Sequence, residues 1–304
     1  MFRRDIWRLG VVRAPIQAVA AAGGLDGFPI DWLPSSPPLT FLADPFGIWR
    51  DGVLHLFAEA YDYRTRRGII VVQRYDAALQ LLGQQAVLSE PWHLSYPFVF
   101  EAEGETWMLP EAHRSGTLSL YRAKAFPHAW ERVASFALDT PAVDATPFRW
   151  QGKWWLAYAP GGSRMAKQAH LHLAFADQLT GPWTPHPANP VRVDRASSRP
   201  GGTPFEDKDG GLVLPVQDCT ATYGGAVRPL KLLELSAQSF RAEAGAAITP
   251  PAHGQGQAQA APFLDGLHTL SGCGQLTLLD VKRVDRSLGG FAVDLGRRLG
   301  RRPG

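Results

Sequence analysis

The sequence of 304 residues has little cysteine, little net charge and no long apolar run. Its two cysteines, Cys219 and Cys273, show no metal-ligand spacing, so we expect neither a disulfide framework nor a cysteine-held metal. Charged residues make up 19%, the formal net charge is +3, and no overall field favours a nucleic-acid partner. No apolar stretch approaches the roughly 20 residues of a membrane-spanning helix. Arg13 and Pro15 interrupt the N-terminal apolar stretch, which argues against a secretion signal, and we expect a cytoplasmic protein.

A Pro-Phe dipeptide returns at a nearly constant interval along the chain. Its four copies are Asp44-Pro45-Phe46, Tyr96-Pro97-Phe98, Thr146-Pro147-Phe148 and Thr203-Pro204-Phe205. Each copy continues as an apolar run, a turn and a second apolar run, as in FVFEAEGETWMLPEA. A repeat of roughly 50 residues built from strands is typical of a β-propeller blade.

The remaining strand-like runs complete the predicted architecture. Two more runs follow in each copy, so each predicted blade has four strands. A weaker fifth copy begins near Pro262 and lacks room for four strands. We expect the segment Ile6 to Val12 to complete this last blade, which would remove exposed sheet edges. The sequence therefore predicts an all-β, five-bladed β-propeller as a single domain over residues 1–287, with blades starting near 40, 94, 142, 199 and 262, and a basic flexible tail at 288–304.

Two positions in each predicted blade face the same end of the propeller axis. They are the start of the first strand and the end of the second, which antiparallel pairing brings together. The polar residues at these positions are Asp44, Glu59, Tyr96, Glu111, Asp144, Arg199, Gln217 and Asp218. Five carboxylates would then meet at one rim, which is the arrangement that acid/base chemistry on a glycosidic bond requires. Crowding and burial would raise the pKa of one acid while a neighbour stays ionised.

Each acid also has an ordinary structural explanation. Asp44 and Asp144 could cap the turns at which their strands begin. Glu111 could be an exposed acid at a strand end. Glu59 and Asp218 could pair with nearby arginines. Both interpretations stay open for every one of these residues.

The other candidates would contact the ligand. Arg199 is followed by two glycines and is suited to gripping a phosphate or carboxylate, although an ordinary loop arginine is the alternative. Tyr96 and Tyr223 could line the same pocket, since sugar rings stack on aromatic faces. His268 occupies the motif position of the fifth copy and should point at the axis, where it could hold an ion, a water molecule or substrate. We expect no other metal site and no certain cofactor.

Asp44, Asp144 and His268 lie at the heads of the first, third and fifth copies, and on these residues the chain resembles the five-bladed propellers of glycoside hydrolase family 43 and its relatives. The resemblance implies that Asp44 is the catalytic base and that Asp144 tunes pKa values and orients substrate. It also implies that His268 is an axial histidine near a central ion or water. The position of that family's general acid is Gly202 here, so the chain departs from the family pattern at the proton donor.

A second set of motifs extends over about residues 5–285. These motifs are FLADPF, MLPE, LYRAKAFPHAW, HPANP, SRPGG and PVQDC. As a set they resemble the propeller domain found N-terminally in plant glucosamine inositolphosphorylceramide transferases and in stand-alone bacterial proteins. In the plant proteins the resemblance assigns sugar transfer to a separate C-terminal domain, so the name implies no activity for this chain.

These features predict a carbohydrate-active enzyme that acts on a glycosidic bond of a glycan or glycolipid. Asp44 would be the base, Glu111 the proton donor and Asp144 the partner that tunes their pKa values. An inverting reaction would separate acid and base by about 6.5–9.5 Å to admit a water molecule. Two alternatives stay open: glycosyl transfer, or a transferase-associated propeller, in polysaccharide or glycolipid biosynthesis, and a non-catalytic glycan-binding module. The expected ligand is a carbohydrate or a sugar phosphate.

Overall fold

A computed structural model of the protein describes residues 3–287, apart from the side chain of Gln255. The predicted basic tail, residues 288–304, lies outside the described residues. No helix in the described part is long and apolar enough to cross a membrane. Cys219 and Cys273 are buried free thiols. The strands form five separate antiparallel sheets, which are the blades of a propeller.

The N-terminal segment and the first two blades follow one another along the chain. The N-terminal segment contains β1 (Arg4–Val12), α1 (Ile16–Ala22) and β2 (Ile30–Trp32). Blade one contains β3 (Thr40–Arg50), β4 (Val53–Asp62), β5 (Arg67–Tyr75) and β6 (Leu81–Leu88). Blade two contains β7 (Ser95–Ala102), β8 (Glu105–Glu111), a 3-10 turn (His113–Ser115), β9 (Leu118–Ala125) and β10 (Ala129–Phe136).

The remaining blades are less regular. Blade three contains β11 (Ala142–Trp150), β12 (Lys153–Pro160), α2 (Arg164–Ala169), β13 (His170–Ala176), β14 (Thr184–Pro185) and β15 (Arg192–Val193). Blade four contains β16 (Arg199–Pro200), β17 (Phe205–Glu206), β18 (Leu212–Asp218), β19 (Ala226–Leu235) and β20 (Phe240–Ala244). The last segment contains α3 (Gly254–Ala260), β21 (Gly266–Cys273) and β22 (Leu276–Asp285).

The fifth blade is closed by the two ends of the described chain. Its sheet has the strand order β2-β1-β22-β21. β1 pairs with β22 along its whole length, from Arg4 opposite Asp285 to Val12 opposite Thr277. The predicted five-bladed, all-β propeller with an N-terminal strand in its last blade is therefore confirmed.

The hydrophobic core lies between neighbouring blades. Phe46 and Phe57 of blade one, for example, pack with Phe98 and Met108 of blade two. The inner strands are therefore apolar on both faces, and β18 is buried at every position. The outermost strand of blade one, β6, is largely exposed. Burial on both faces fixes each inner strand in register, because a slipped strand would expose its apolar residues.

A β-bulge interrupts the first strand of four blades at the same place. In blade one, Ala43 pairs with Glu59 and Phe46 pairs with Phe57, so Asp44 and Pro45 oppose a single residue. The equivalent bulges begin at Tyr96, Asp144 and His268. Bulges of this kind redirect side chains away from the plain sheet face. Four polar side chains are thereby directed to one region at the axis.

The backbone at three of these bulges is unusual. Asp44, Tyr96 and Asp144 have φ angles of 53°, 43° and 49°. A positive φ costs a residue with a Cβ about 1–3 kcal/mol, and it persists only where the surroundings fix it. The contacts that fix these residues are those of the candidate site.

Candidate functional site

A cavity of about 560 Å³ lies at the end of the axis where the bulges occur. Trp7 of β1 and Phe41, Tyr61 and Tyr63 of blade one form an aromatic wall. Glu59, Tyr223 and His268, all predicted site residues, also line it. The other predicted site residues are buried, with exposed fractions of 8% or less: Asp44, Tyr96, Glu111, Asp144, Arg199, Gln217 and Asp218. The predicted rim of carboxylates thus lies deeper than expected, because the bulges turn these side chains into the protein.

Asp44 is held by contacts from blades two and five. Its Oδ1 accepts a hydrogen bond from Thr269 Oγ1 at 3.0 Å and lies 3.3 Å from His268 Nε2. Its Oδ2 accepts the backbone N–H of Tyr96 at 3.1 Å. Burial raises the pKa of Asp44, while the charge of His268 opposes the rise and that of Asp280 adds to it. Asp44 is therefore the centre of a charged group that joins blades one and five.

Asp280 belongs to this group, and the sequence prediction missed it. Its side chain is fully buried in β22. Its Oδ1 lies 2.7 Å from His268 Nδ1, and its Oδ2 accepts the backbone N–H of Asp44 at 2.8 Å. The available signal was an acid inside the apolar run LTLLDV, where a charge is costly unless it is paired.

Asp44, His268 and Asp280 lie close enough together to hold a metal ion, since their ligand atoms lie within 4.8 Å of one another. Both Asp280 oxygens and both Asp44 oxygens also accept hydrogen bonds from the protein, and His268 Nδ1 is bonded to Asp280. Calcium needs six to eight oxygen ligands and zinc needs four ligands in all, so these three residues alone do not complete the shell of either ion.

A second charged group is centred on Asp144. Its Oδ2 accepts hydrogen bonds from Arg199 Nε at 2.7 Å and from Gln217 Nε2 at 2.9 Å. Burial raises the pKa of Asp144 to about 8; the charge of Arg199 opposes this rise, and the charges of Glu111 and Asp44 add to it. The neutral form of Asp144 is therefore favoured at neutral pH.

Glu111 stays ionised in this pair. Burial alone would raise its pKa, but the hydrogen bond and charge of His113, together with Arg199, lower it to about 2. His113 Nδ1 lies 2.5 Å from Glu111 Oε1, and Lys167 Nζ lies 3.1 Å from His113 Nε2. His113 thus lies between Glu111 and Lys167.

Glu59 is the acid that faces the cavity. Its pKa lies well above the ordinary value, first because it is buried and then because Asp44, Glu111 and Asp280 surround it with negative charge. His93 Nδ1 accepts the Gly68 N–H at 2.8 Å, so the neutral ring carries its proton on Nε2, 3.6 Å from Glu59 Oε1. Burial lowers the pKa of His93 to about 4, which keeps the ring neutral.

Tyr96 joins three blades. Its hydroxyl lies 2.9 Å from Thr146 Oγ1 and accepts the Gly202 N–H at 2.8 Å. A Cβ on Gly202 would lie 1.8 Å from the carbonyl oxygen of Leu270, so no side chain fits there. The position to which the resemblance assigns a general acid is therefore closed by backbone packing.

Two predicted ligand contacts are already used within the protein. Arg199 donates a hydrogen bond from Nη1 to Lys167 O at 3.3 Å, in addition to its bond with Asp144. Its guanidinium group is therefore directed to protein groups. Asp218 accepts from Arg228 Nε at 2.9 Å and from Thr220, which lower its pKa against the effect of burial. Asp218 therefore pairs with an arginine, Arg228, which agrees with the structural explanation given for it from the sequence.

Positive charge reaches the cavity from other residues. Arg164 at the start of α2 and Arg195 in the loop after β15 both line it. Arg195 donates from Nη2 to Gln168 at 3.2 Å, and its buried Nε has no hydrogen-bond partner. Among residues 3–287, no carboxylate forms an ion pair with either guanidinium, so both charges are available to a ligand.

The chain matches one protein family over most of its length. Residues 33–258 match the model described as glucosamine inositolphosphorylceramide transferase 1, N-terminal. A protein of that name from Oryza sativa subsp. indica is 37% identical over 211 residues, which are 67% of this chain and 28% of that protein. The Arabidopsis thaliana protein of that name is 36% identical over 213 residues, which are 68% and 27%. This chain thus spans less than a third of these relatives.

Solved structures share the fold. A putative glycoside hydrolase from Bacteroides ovatus has a TM-score of 0.56 at 16% identity, covering 81% of this chain and 92% of that one. The family 117 glycoside hydrolase Zg3597 from Zobellia galactanivorans has a TM-score of 0.52 at 15% identity, covering 69% and 70%. These identities indicate a common fold and no more. On the sequence match, the chain belongs to the glucosamine inositolphosphorylceramide transferase 1 N-terminal family.

Proposed function

We propose that the axial cavity is the site of a carbohydrate-active enzyme that acts on a glycosidic bond. The observation that carries the proposal is Glu59, a carboxylic acid whose pKa is raised well above its ordinary value and which faces a cavity with an aromatic wall. Acid/base catalysis needs neighbouring carboxyl groups in different protonation states. The pKa values of Glu59 and Asp144 are raised here, and that of Glu111 is lowered.

The proton donor in this proposal is Glu59. Glu111, the donor predicted from the sequence, has a pKa of about 2 and no proton to give at neutral pH. Glu59, whose pKa is raised, lines the cavity, and the proton on His93 Nε2 faces it. A donor with a raised pKa is what protonation of a leaving group requires.

Asp44 is the base in this proposal, and Asp144 keeps the role predicted for it. Asp44 is adjacent to Ala43, which pairs directly with Glu59, so acid and base lie on neighbouring strands of blade one. Asp144 adds to the negative field that raises the pKa of Glu59. In this proposal Asp44 acts as the base, and Asp144 acts on the pKa of Glu59.

The proposed ligand is a sugar that carries an anionic group. Its ring would pack on Phe41, Tyr61 and Tyr63, and its anion would bind Arg164 and Arg195. Guanidinium groups bind phosphate and carboxylate through paired hydrogen bonds. The name of the curated relatives contains both a sugar and a phosphoryl group, which agrees with this ligand class.

Glycosyl transfer is the second candidate reaction, and the closed position at Gly202 favours it. An activated donor needs less protonation of its leaving group than a plain glycoside, so a site without the family 43 acid suits transfer. A nucleotide sugar as donor would also fit the cytoplasmic location predicted from the sequence.

Turnover of nucleotide sugars and of aryl glycosides tests the proposal. We expect activity with one class, and Glu59→Gln should reduce it at least a hundredfold, the scale of a lost acid catalyst. The control is Glu206→Gln, because Glu206 is exposed and lines a different cavity. Binding of sugars without turnover of either class would instead indicate the non-catalytic glycan-binding module.

A further inference from the structure

Asp280 faces the bulge that carries His268. Leu267 pairs with Val281 and Leu270 with Leu279, so Asp280 alone is opposite both His268 and Thr269 of the neighbouring strand. The backbone N–H groups of His268 and Thr269 donate to its Oδ1 at 3.2 and 3.0 Å. With the Asp44 N–H on Oδ2, three backbone donors bind the two oxygens of the Asp280 carboxyl group.

The imidazole of His268 has one orientation in this setting. Its Nδ1 lies 2.7 Å from Asp280 Oδ1, and because that oxygen can only accept, the proton is on Nδ1. Its Nε2 lies 3.3 Å from Asp44 Oδ1. Trp7 stacks on the ring at 3.7 Å between centroids, and Tyr223 meets it edge-on at 5.5 Å. A flipped ring would place carbon atoms against both carboxylates.

The charges around His268 come from every packed element. Burial would lower its pKa, but Asp280 of β22 and Asp44 of β3 together raise it. The opposing positive charges are the ammonium of Lys282, which lies over the Trp7 ring at 5.3 Å, and the guanidinium groups of Arg164 and Arg195, which line the same cavity. Glu59 lines this cavity too, and its pKa is raised. The net effect of these surroundings is a raised pKa of His268.

We propose that Asp280 is a positioning residue that holds His268 as an imidazolium with its Nε2–H on Asp44, and so keeps Asp44 ionised despite its burial. The consequence for catalysis rests on the proposed function, because it needs Asp44 to be the base. The protonation state of His268 does not depend on that function. If Asp280 only joined the strands, replacing it would leave the protonation state of His268 unchanged.

Imidazole ¹⁵N NMR on the full chain tests the protonation state directly. His268→Gln identifies the resonance among the nine histidines. In the unaltered protein we expect both ring nitrogens to be protonated at pH 7, with a titration midpoint above the ordinary value of about 6.5. A neutral His268 at pH 7, or a proton on Nε2 alone, would overturn the proposal without any variant of Asp280.

Asp280→Asn then tests the positioning role. We expect the midpoint of His268 to fall by about one pH unit or more, a tenfold loss of proton affinity. The acidic limb of the pH–activity profile should move to higher pH by a similar amount, because Asp44 would lose its imidazolium partner. Asp280→Glu should partly restore both, and unchanged values in Asp280→Asn would overturn the role.

The matched control is Asp139→Asn. Asp139 Oδ2 lies 3.0 Å from His172 Nδ1 in blade three, a similar pair outside the cavity. This variant should shift the titration of His172 and leave that of His268 in place. If the NMR results are as expected but no sugar substrate is turned over, the proposed function fails while the inference about His268 stands.

Discussion

Asp144 and Glu111, on neighbouring blades, have pKa values that are shifted in opposite directions, to about 8 for Asp144 and to about 2 for Glu111. The proton is therefore favoured on Asp144, while His113 and Arg199 keep Glu111 ionised. The pair shows how the propeller brings together acids that are far apart in the sequence and gives each a different protonation state.

The first prediction concerns stability and pH. The pKa of Asp144 is 3.8 in its ordinary state and about 8 in the folded protein, so its stabilising contribution is complete below pH 3.8 and is lost as the pH rises through 8. Glu111 has the opposite sign: its contribution is present above pH 4.5 and is lost as the pH falls through about 2. We expect the melting temperature to decline as the pH rises from about 4.5 to about 8.

Asp144→Asn should reduce that decline, which thermal melts at a series of pH values would measure. Part of the decline should remain, since the raised pKa of Glu59 has the same sign. The control Asp209→Asn removes an acid whose side chain is 67% exposed and should keep the full decline. Equal slopes in the protein and in Asp144→Asn would show that Asp144 is ionised when folded.

The second prediction concerns Gly202. Its φ is 149°, and a Cβ would clash with the backbone of Leu270, so Gly202→Ala should cost about 2–4 kcal/mol in the free energy of unfolding. Gly210→Ala is the control, with φ 75° but open space around the Cβ, and it should cost about 1 kcal/mol. Urea unfolding measures both. Equal losses of unfolding free energy in the two variants would mean that the backbone of Leu270 can move to admit a Cβ at Gly202.

The third prediction concerns the arginines of the cavity. Replacing Arg164 and Arg195 with glutamine should weaken binding of a sugar phosphate at least tenfold and leave a neutral sugar unaffected. Calorimetry at two salt concentrations would show the loss and a smaller salt dependence. Arg149→Gln, which alters a cavity at other residues, is the control. Equal losses for charged and neutral sugars would exclude an anion contact.

The fourth prediction concerns the closure of the propeller. Leu9 is 2% exposed within β1, and Leu9→Ala should cost about 2–4 kcal/mol in the free energy of unfolding. Leu264→Ala, at a site that is 37% exposed, should cost less than 1 kcal/mol. A small effect of Leu9→Ala in denaturant melts would mean that β1 contributes little to the last blade.

The fold could be predicted because the repeat recurs in the sequence, but the repeat was aligned two residues out of register in blade three. Phe46 pairs with Phe57, and its structural equivalent is Thr146, opposite Ala157, rather than Phe148. The shift of two keeps the same sheet face, so Asp144 still superposes on Asp44 in the bulge. The meeting of these two aspartates was therefore predictable.

Other features of the site depend on contacts that no local pattern records. Asp280 was missed because its strand reads as apolar and its partners lie in a different strand and a different blade. The low pKa of Glu111 depends on His113 and on Arg199, which comes from blade four. Arg199 was predicted to bind a ligand, but its guanidinium group is buried beside Asp144 and pairs with that carboxyl group. Protonation states follow from such long-range contacts, and sequence spacing does not contain them.

The most direct test of the central claim is a crystal structure with a bound sugar phosphate. The account predicts the sugar in the axial cavity, with its glycosidic oxygen about 2.6–3.2 Å from the Glu59 carboxyl group, and its phosphate on Arg164 and Arg195. A sugar bound instead in the cavity lined by Trp49 and Trp150, with the axial cavity empty, would contradict it.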